Sequence, residues 1–316
     1  MSKINCIEYD NGITAIDTDY IRPLLDACHL IVRDGRAALV DTGTAPGTPL
    51  VLEALRERNI APEQVDYVMV THVHLDHAGG AGTLMAALPD ARMVIHPRGS
   101  RHMIDPEKLI ASTRGVYGDE TFNRLYGTIL PVPAERVIEV ADGDSLRLGS
   151  SEFRFLHTPG HALHHYCIHD VDASAVFTGD TFGISYREFD TANGAFIFPT
   201  TTPTQFDPAA LHDSVNHIVG LNTRAAYLTH FGEVTGLPEL ARQLHQRIDE
   251  YVRIAEEHRH AGDSRLERIA EDLWHYLRNQ VRQHGCRLPD RVVEEILRTD
   301  AKLNAQGLDV WLDRIA

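Results

Sequence analysis

The segment Thr71-His72-Val73-His74-Leu75-Asp76-His77-Ala78-Gly79-Gly80 decides how the rest of the chain is read. It follows Asp66–Thr71 (DYVMVT), a β-branched, apolar run with the composition of a buried strand. In extended backbone, residues two apart point to the same side, so His72 and His74 can converge on one point. Asp76 and His77 come where the chain turns toward the next helix, and can face a second point nearby. Gly79, Gly80 and Gly82 let that helix start come close to whatever the four side chains hold. Neutral imidazole and carboxylate suit zinc, iron or manganese, and the lack of cysteine here disfavours a soft, copper-like site.

The same chemistry recurs at later strand ends. Thr158-Pro159-Gly160-His161 closes FRFLH, Thr178-Gly179-Asp180 closes ASAVF, and Leu228-Thr229-His230-Phe231-Gly232 closes RAAY. Each places a metal-capable side chain just after a short apolar strand, beside a glycine or proline turn. Alone, His161 or His230 reads as a satisfied surface histidine, and Asp41 in Val40-Asp41-Thr42-Gly43 as a turn-initiating Asp. Three strand-end ligands together with one dense cluster point to metal instead. The 19 histidines, against 10 Phe and 10 Tyr, agree with that.

On these residues the chain resembles the metallo-β-lactamase-fold hydrolases. The family pattern HxHxDH is met by His72, His74, Asp76 and His77, and its later His, Asp and His by His161, Asp180 and His230. The resemblance runs from about Cys28 to Gly232. It implies an α+β fold, a four-layer αββα sandwich of two mixed β-sheets, here with a C-terminal helical extension. It also implies two divalent ions, zinc first, with iron or manganese as alternatives. His72, His74 and His161 would hold one ion, Asp76, His77 and His230 the other. Asp180 would bridge them, and Asp41 would order the ligand loop from behind. A hydroxide shared by the ions would attack the substrate, Asp76 helping to orient it, so no Ser or Cys nucleophile is needed.

Within the family some branches fit poorly. Class B lactamases usually carry Cys where this chain has Asp180, and flavodiiron proteins have Glu in place of His74. Acyl-homoserine lactonases place Tyr three residues after the bridging Asp. Here that position is Gly183, with Tyr186 as a substitute. Glyoxalase II and related thioesterases combine this site with C-terminal helices. The long gap from His77 to His161 also resembles the aminobenzoylacetyl-CoA thioesterase of quinolone signalling. A thiolate departs readily, its conjugate acid having a pKa of about 8.5, and no dedicated general acid is evident. The expectation is acyl-bond hydrolysis of a small molecule, thioester or ester. The alternatives are a lactonase or phosphodiesterase of the same fold, and iron-dependent persulfide dioxygenase chemistry.

The rest of the 316 residues frames this site. Short strands run through the first two thirds. Residues 97–133 show helical composition between two strands, and Arg98, Arg101, His102, Tyr117 and Tyr126 there are expected on a solvated face. His164 and His165 are expected to cap a turn. Asp207-Pro208 reads as a helix start. Residues 1–236 are expected to form the catalytic domain and 237–316 a helical region, with 232–237 as junction. Apolar stripes are expected at Leu240, Leu244, Ile248, Val252 and Ala255, and at Leu266, Ile269, Leu273, Leu277 and Val281. A last helix is expected to start at Asp290 as N-cap with Val292, Val293, Ile296 and Leu297 inward. The stripes suit an internal core or a homodimer seam. A net charge of −15 makes nucleic acid and anionic membrane poor partners. Four scattered cysteines and no apolar leader suggest a cytoplasmic chain with reduced thiols.

Overall fold

The computed structural model describes residues 4–201 and 204–316, which separate into two compact units. The first holds everything up to His157, with His164–Gly179 and Thr223–Glu233. The second holds Thr158–Leu163, Asp180–Asn222 and Val234–Ala316.

The first unit is built on two mixed sheets. One takes β1 (Cys6–Glu8), β2 (Ile13–Asp17), β3 (Ala27–Arg33), β4 (Arg36–Val40), β5 (Val65–Met69), β6 (Arg92–Ile95) and β7 (Val137–Glu139) in that spatial order. The antiparallel meander β1–β4 gives way to parallel pairing from β4 to β7, because helices return the chain between the later strands. These are α1 (Thr48–Glu57), α2 (Leu75–Ala78), α3 (Ala81–Ala87) and the insertion's α4 (Pro97–Ile104), α5 (Glu107–Tyr117) and α6 (Asp119–Leu125). The second sheet holds β8 (Ser145–Leu148), β9 (Ser151–His157), β10 (Tyr166–Asp170), β11 (Ala175–Gly179), β12 (Ala225–Leu228) and β13 (Gly232–Thr235), in the order β13-β12-β11-β10-β9-β8.

The sheets face each other across one apolar core. Ile13, Ile31, Val40, Met69 and Val94 from the first meet Phe153, Phe155, Tyr166, Phe177 and Tyr227 from the second. The Tyr166 hydroxyl crosses between them and donates to the Val94 carbonyl at 2.9 Å. The other face of the first sheet is covered by Val51, Leu55, Leu84 and Met85 of α1 and α3. With both faces buried, β5 and β6 need continuous apolar runs rather than alternation. Every strand end that carries a metal-capable residue follows one of these buried strands.

The insertion differs from the solvated face expected of it. Arg98 and Arg101 are exposed, but Tyr126 is buried. It packs with Tyr20, Leu75, Phe122 and Ile129, and its hydroxyl lies 3.0 Å from that of Tyr20.

The second unit carries α7 (Pro208–Gly220), α8 (Leu237–Glu257), α9 (Arg265–Gln283) and α10 (Asp290–Arg314). Asp207 caps α7 as expected, accepting from the Ala210 amide at 3.0 Å. Asp290 does not cap α10. Pro289 holds that position, and Asp290 is the first helical residue, its carboxylate paired with Arg282. On α8 the buried stripe is Leu240, Leu244, Ile248, Tyr251, Ile254 and Ala255, with Val252 half-buried, because a 3.6-residue turn carries a strict four-residue repeat off the face. Leu266 is exposed, while Ile269, Leu273, Leu277 and Val281 are buried. On α10, Val293 and Leu297 are buried, but Val292 and Ile296 only partly.

Candidate metal centre

Asp41 is the organising residue of the first unit. It follows β4 in a left-handed conformation (φ +54°), which Asp tolerates better than most residues. Fully buried, its carboxylate accepts from the Thr71 amide at 2.8 Å and from the Thr71 hydroxyl at 2.9 Å. It also accepts from the Thr229 hydroxyl at 2.6 Å and faces His77 Nδ1 at 2.8 Å. Three chain segments are thereby tied to one charge. With Nδ1–H given to Asp41, His77 turns its Nε2 lone pair away from the anchor. His230 is set in the same way, its Nδ1 lying 2.8 Å from the Leu25 carbonyl.

What those imidazoles face is a carboxylate. Asp76 Oδ2 lies 3.6 Å from His230 Nε2 and 4.0 Å from His77 Nε2. One donor atom from each of Asp76, His77 and His230 falls within 4.8 Å of the others, a spacing suited to holding a metal ion. Both histidines are buried and Asp76 is partly exposed, so the group opens on one side. Two nitrogens and an oxygen fit a borderline divalent ion. The other first-unit pair, His72 and His74, brings Nε2 and Nδ1 to 2.8 Å of each other, with Thr71 Oγ1 3.2 Å from His72 Nδ1. In the second unit, His161 Nε2 and Asp180 Oδ2 lie 3.4 Å apart.

The turn bearing His161 depends on glycine. Gly160 has φ +126°, and a Cβ there would sit 2.4 Å from the Leu211 backbone. Ser214 donates to the Pro159 carbonyl at 2.6 Å, and the Asp207 amide to that of Gly160 at 2.8 Å, which pins the turn to α7.

Several residues beside these groups were not singled out by motif. The rings of His164 and His165 lie 6.2 and 5.0 Å from that of His72. Thr71 and Thr229 each precede a metal-capable histidine, so the repeated Thr-His dipeptide was the available signal. Asp26 has no motif at all. Its Oδ2 accepts from the Thr18 hydroxyl at 2.7 Å, and burial pushes its carboxyl up to about 7, against the pull of His230 and His77. Tyr186, the substitute for the lactonase tyrosine, is buried and donates to Asp300 at 3.2 Å. Gly183 has φ +78°, and a Cβ there would lie 2.6 Å from the Phe198 carbonyl, which excludes tyrosine at that position.

Comparison with known proteins agrees with this geometry. Residues 22–230 match the model of the metallo-beta-lactamase superfamily, and the chain belongs to that superfamily. The metallo-beta-lactamase fold-containing protein ST1585 of Sulfurisphaera tokodaii is 28% identical over 177 residues, 55% of this chain and 63% of that protein. A hydroxyacylglutathione hydrolase of Citrobacter koseri is 32% identical over 172 residues, 54% of this chain and 50% of that enzyme. The matched part thus spans less than two thirds of both relatives. The crystal structure of the archaeal superfamily protein ST1585 from Sulfolobus tokodaii superposes with a TM-score of 0.66 at 20% identity, covering 95% of this chain and 99% of that one. The fold is therefore the αββα sandwich of the superfamily, with C-terminal helices.

Proposed function

We propose that this protein is a dinuclear-metal-dependent hydrolase that cleaves an acyl bond, thioester or ester, in a small molecule. His72, His74 and His161 are assigned to one ion and Asp76, His77 and His230 to the other, with Asp180 between them. Zinc is the first choice of metal, iron or manganese the alternatives. Residues 1–236 are assigned the reaction, and 237–316 a part in substrate selection. The observation that carries this reading is the trio Asp76, His77 and His230, one donor atom of each within 4.8 Å of the others, with the buried Asp41 carboxylate 2.8 Å from His77 Nδ1 orienting that ring.

When bound, divalent ions supply Lewis acidity toward a carbonyl oxygen and toward water. The chain's own residues do the rest. Asp41 and the Leu25 carbonyl hold two imidazoles by Nδ1, in the tautomer whose Nε2 carries the lone pair. The partly exposed Asp76 edge can accept a proton from an approaching water. The thioester preference rests on the leaving group, since a thiolate departs without a donated proton. The relative named hydroxyacylglutathione hydrolase supports the same bond class. Against lactone cleavage stand the Tyr186 hydroxyl, engaged with Asp300, and the glycine-only backbone at Gly183.

The test is elemental analysis of the purified protein, followed by parallel thioester, lactone and bis-aryl phosphodiester panels with the native metal restored. Thioester turnover well above the other two is expected. Equal turnover of thioester and phosphodiester would remove the acyl preference.

A further inference from the structure

The second unit buries a cation that has no counter-ion among the described residues. Arg247 on α8 is only 5% exposed, and no carboxylate lies within ion-pair distance of it among the described residues. Its guanidinium sits 4.5 Å over the Phe196 ring, and Nη1 donates to Gln243 Oε1 at 3.0 Å. Its Nε is buried with no acceptor among the described residues. Glu239, the acid of α8 whose charge acts on Arg247, is committed to Arg242 and to Gln243 Nε2. Beside Arg247 stands Tyr251, fully buried, whose hydroxyl also has no hydrogen-bond partner among the described residues. Tyr276 on α9, its ring 6.3 Å from that of Tyr251, adds a second phenol to the surroundings of the guanidinium.

Two features separate this cluster from ordinary packing. Buried guanidinium groups are normally paired, and one left alone opposes folding. A buried hydroxyl without a partner opposes it as well. Both lie on one turn of α8, and burial already lowers the guanidinium's proton affinity, the mark of a charge short of compensation. A planar fork of N–H donors flanked by phenol hydroxyls matches an oxyanion, carboxylate or phosphate, which would answer both deficits. In a chain of net charge −15, an anion also needs such a local cation in order to dwell.

Within the second unit the cluster is linked to Asp180. Gly183 donates its amide to the Asp180 carbonyl at 3.0 Å, and a Cβ on Gly183 would lie 2.8 Å from Leu244, one turn before Arg247 on α8.

We propose that Arg247 and Tyr251, with Tyr276 beside them, form a receptor for a single oxyanion, a carboxylate or phosphate group. The anion is either a terminal group of the substrate or a free ion; the first source rests on the hydrolase reading above, the second does not.

Calorimetric titration of inorganic phosphate and of acetate into the holoenzyme tests the receptor independently of turnover. Saturable binding of one of them is expected, at least tenfold weaker in Arg247→Met and several-fold weaker in Tyr251→Phe, which removes one oxygen and keeps the ring should the Arg variant fail to fold. Absence of saturable binding in the wild type, or equal affinity in the wild type and the folded variants, overturns the proposal. Where binding is lost, paired thioesters with and without a distal carboxylate identify the source. A substrate anion predicts at least a tenfold fall in preference for the acidic thioester in Arg247→Met. A free ion predicts an unchanged preference.

Discussion

At the scale of single residues, Asp41 is the most exacting position in the molecule. Four contacts from Thr71, Thr229 and His77 converge on its carboxylate. Asp41→Asn is the informative change, because Asn also tolerates the left-handed backbone and keeps the volume while removing the charge. It is expected to weaken metal affinity by about 10–100-fold, read by competition with a chromogenic chelator, since orienting partners of metal ligands have that effect. Unchanged affinity would mean that Asp41 only ties the loops together. His29 gives a pH prediction. Buried in β3 with its ring 5.5 Å from that of Phe177, it has its pKa pushed down to about 4 by desolvation. The unfolded chain takes up this proton near pH 6.5 and the folded chain only near 4. The associated stability is therefore whole above about 6.5 and lost as the pH falls toward 4. The difference is about 3 kcal/mol. Urea melts of wild type and His29→Phe should diverge by about that amount between pH 7.5 and 4. Asp26, pushed up to about 7, contributes the opposite slope over much of this window, which is why the comparison has to be between variants. Parallel pH profiles would contradict the His29 assignment.

At the scale of elements, a glycine fixes a close approach. Gly307 lies inside α10, where glycine costs about 0.5–1 kcal/mol relative to alanine. It is kept because a Cβ there would come within 2.0 Å of the Thr201 carbonyl, beside the Asn304 side chain that accepts from the Thr201 amide at 2.7 Å. Gly307→Ala, stabilising in an isolated helix, is expected to destabilise this protein by more than about 1 kcal/mol in chemical denaturation. A gain in stability would show that α10 can slide off Thr201. The same scale shows what the sequence made legible. Buried strands such as β5 were readable from their β-branched composition, and metal-capable strand-end residues from the Gly and Pro turns beside them. The strand β13, Gly232–Thr235, was read as a junction because four residues starting at a left-handed glycine carry no period. The burial of Tyr126 escaped notice because its partner Tyr20 is distant in sequence and the two meet only in the folded chain. Arg247 was invisible for the same reason: on a helical wheel it is simply a charged residue next to the apolar stripe.

At the scale of the molecule, the metal-capable residues and their strand-end positions are legible in the sequence, because two-residue periodicity and turn chemistry act locally. Metal identity was not, since nitrogen and oxygen donors suit several ions. Nor was the substrate, on which no motif in the sequence bears. Metal removal has a global consequence. A ligand bound only by the folded state stabilises it by about 2.7 kcal/mol at a hundredfold excess over its dissociation constant. Exhaustive chelation should therefore lower the melting temperature by several degrees, and zinc, iron or manganese should restore it. The most direct test of the central claim is metal content and thioester turnover measured together on wild type, His77→Ala and Asp180→Ala. The account predicts bound divalent metal and turnover in the wild type, and loss of both in each variant. Full metal and full turnover in either variant would contradict it.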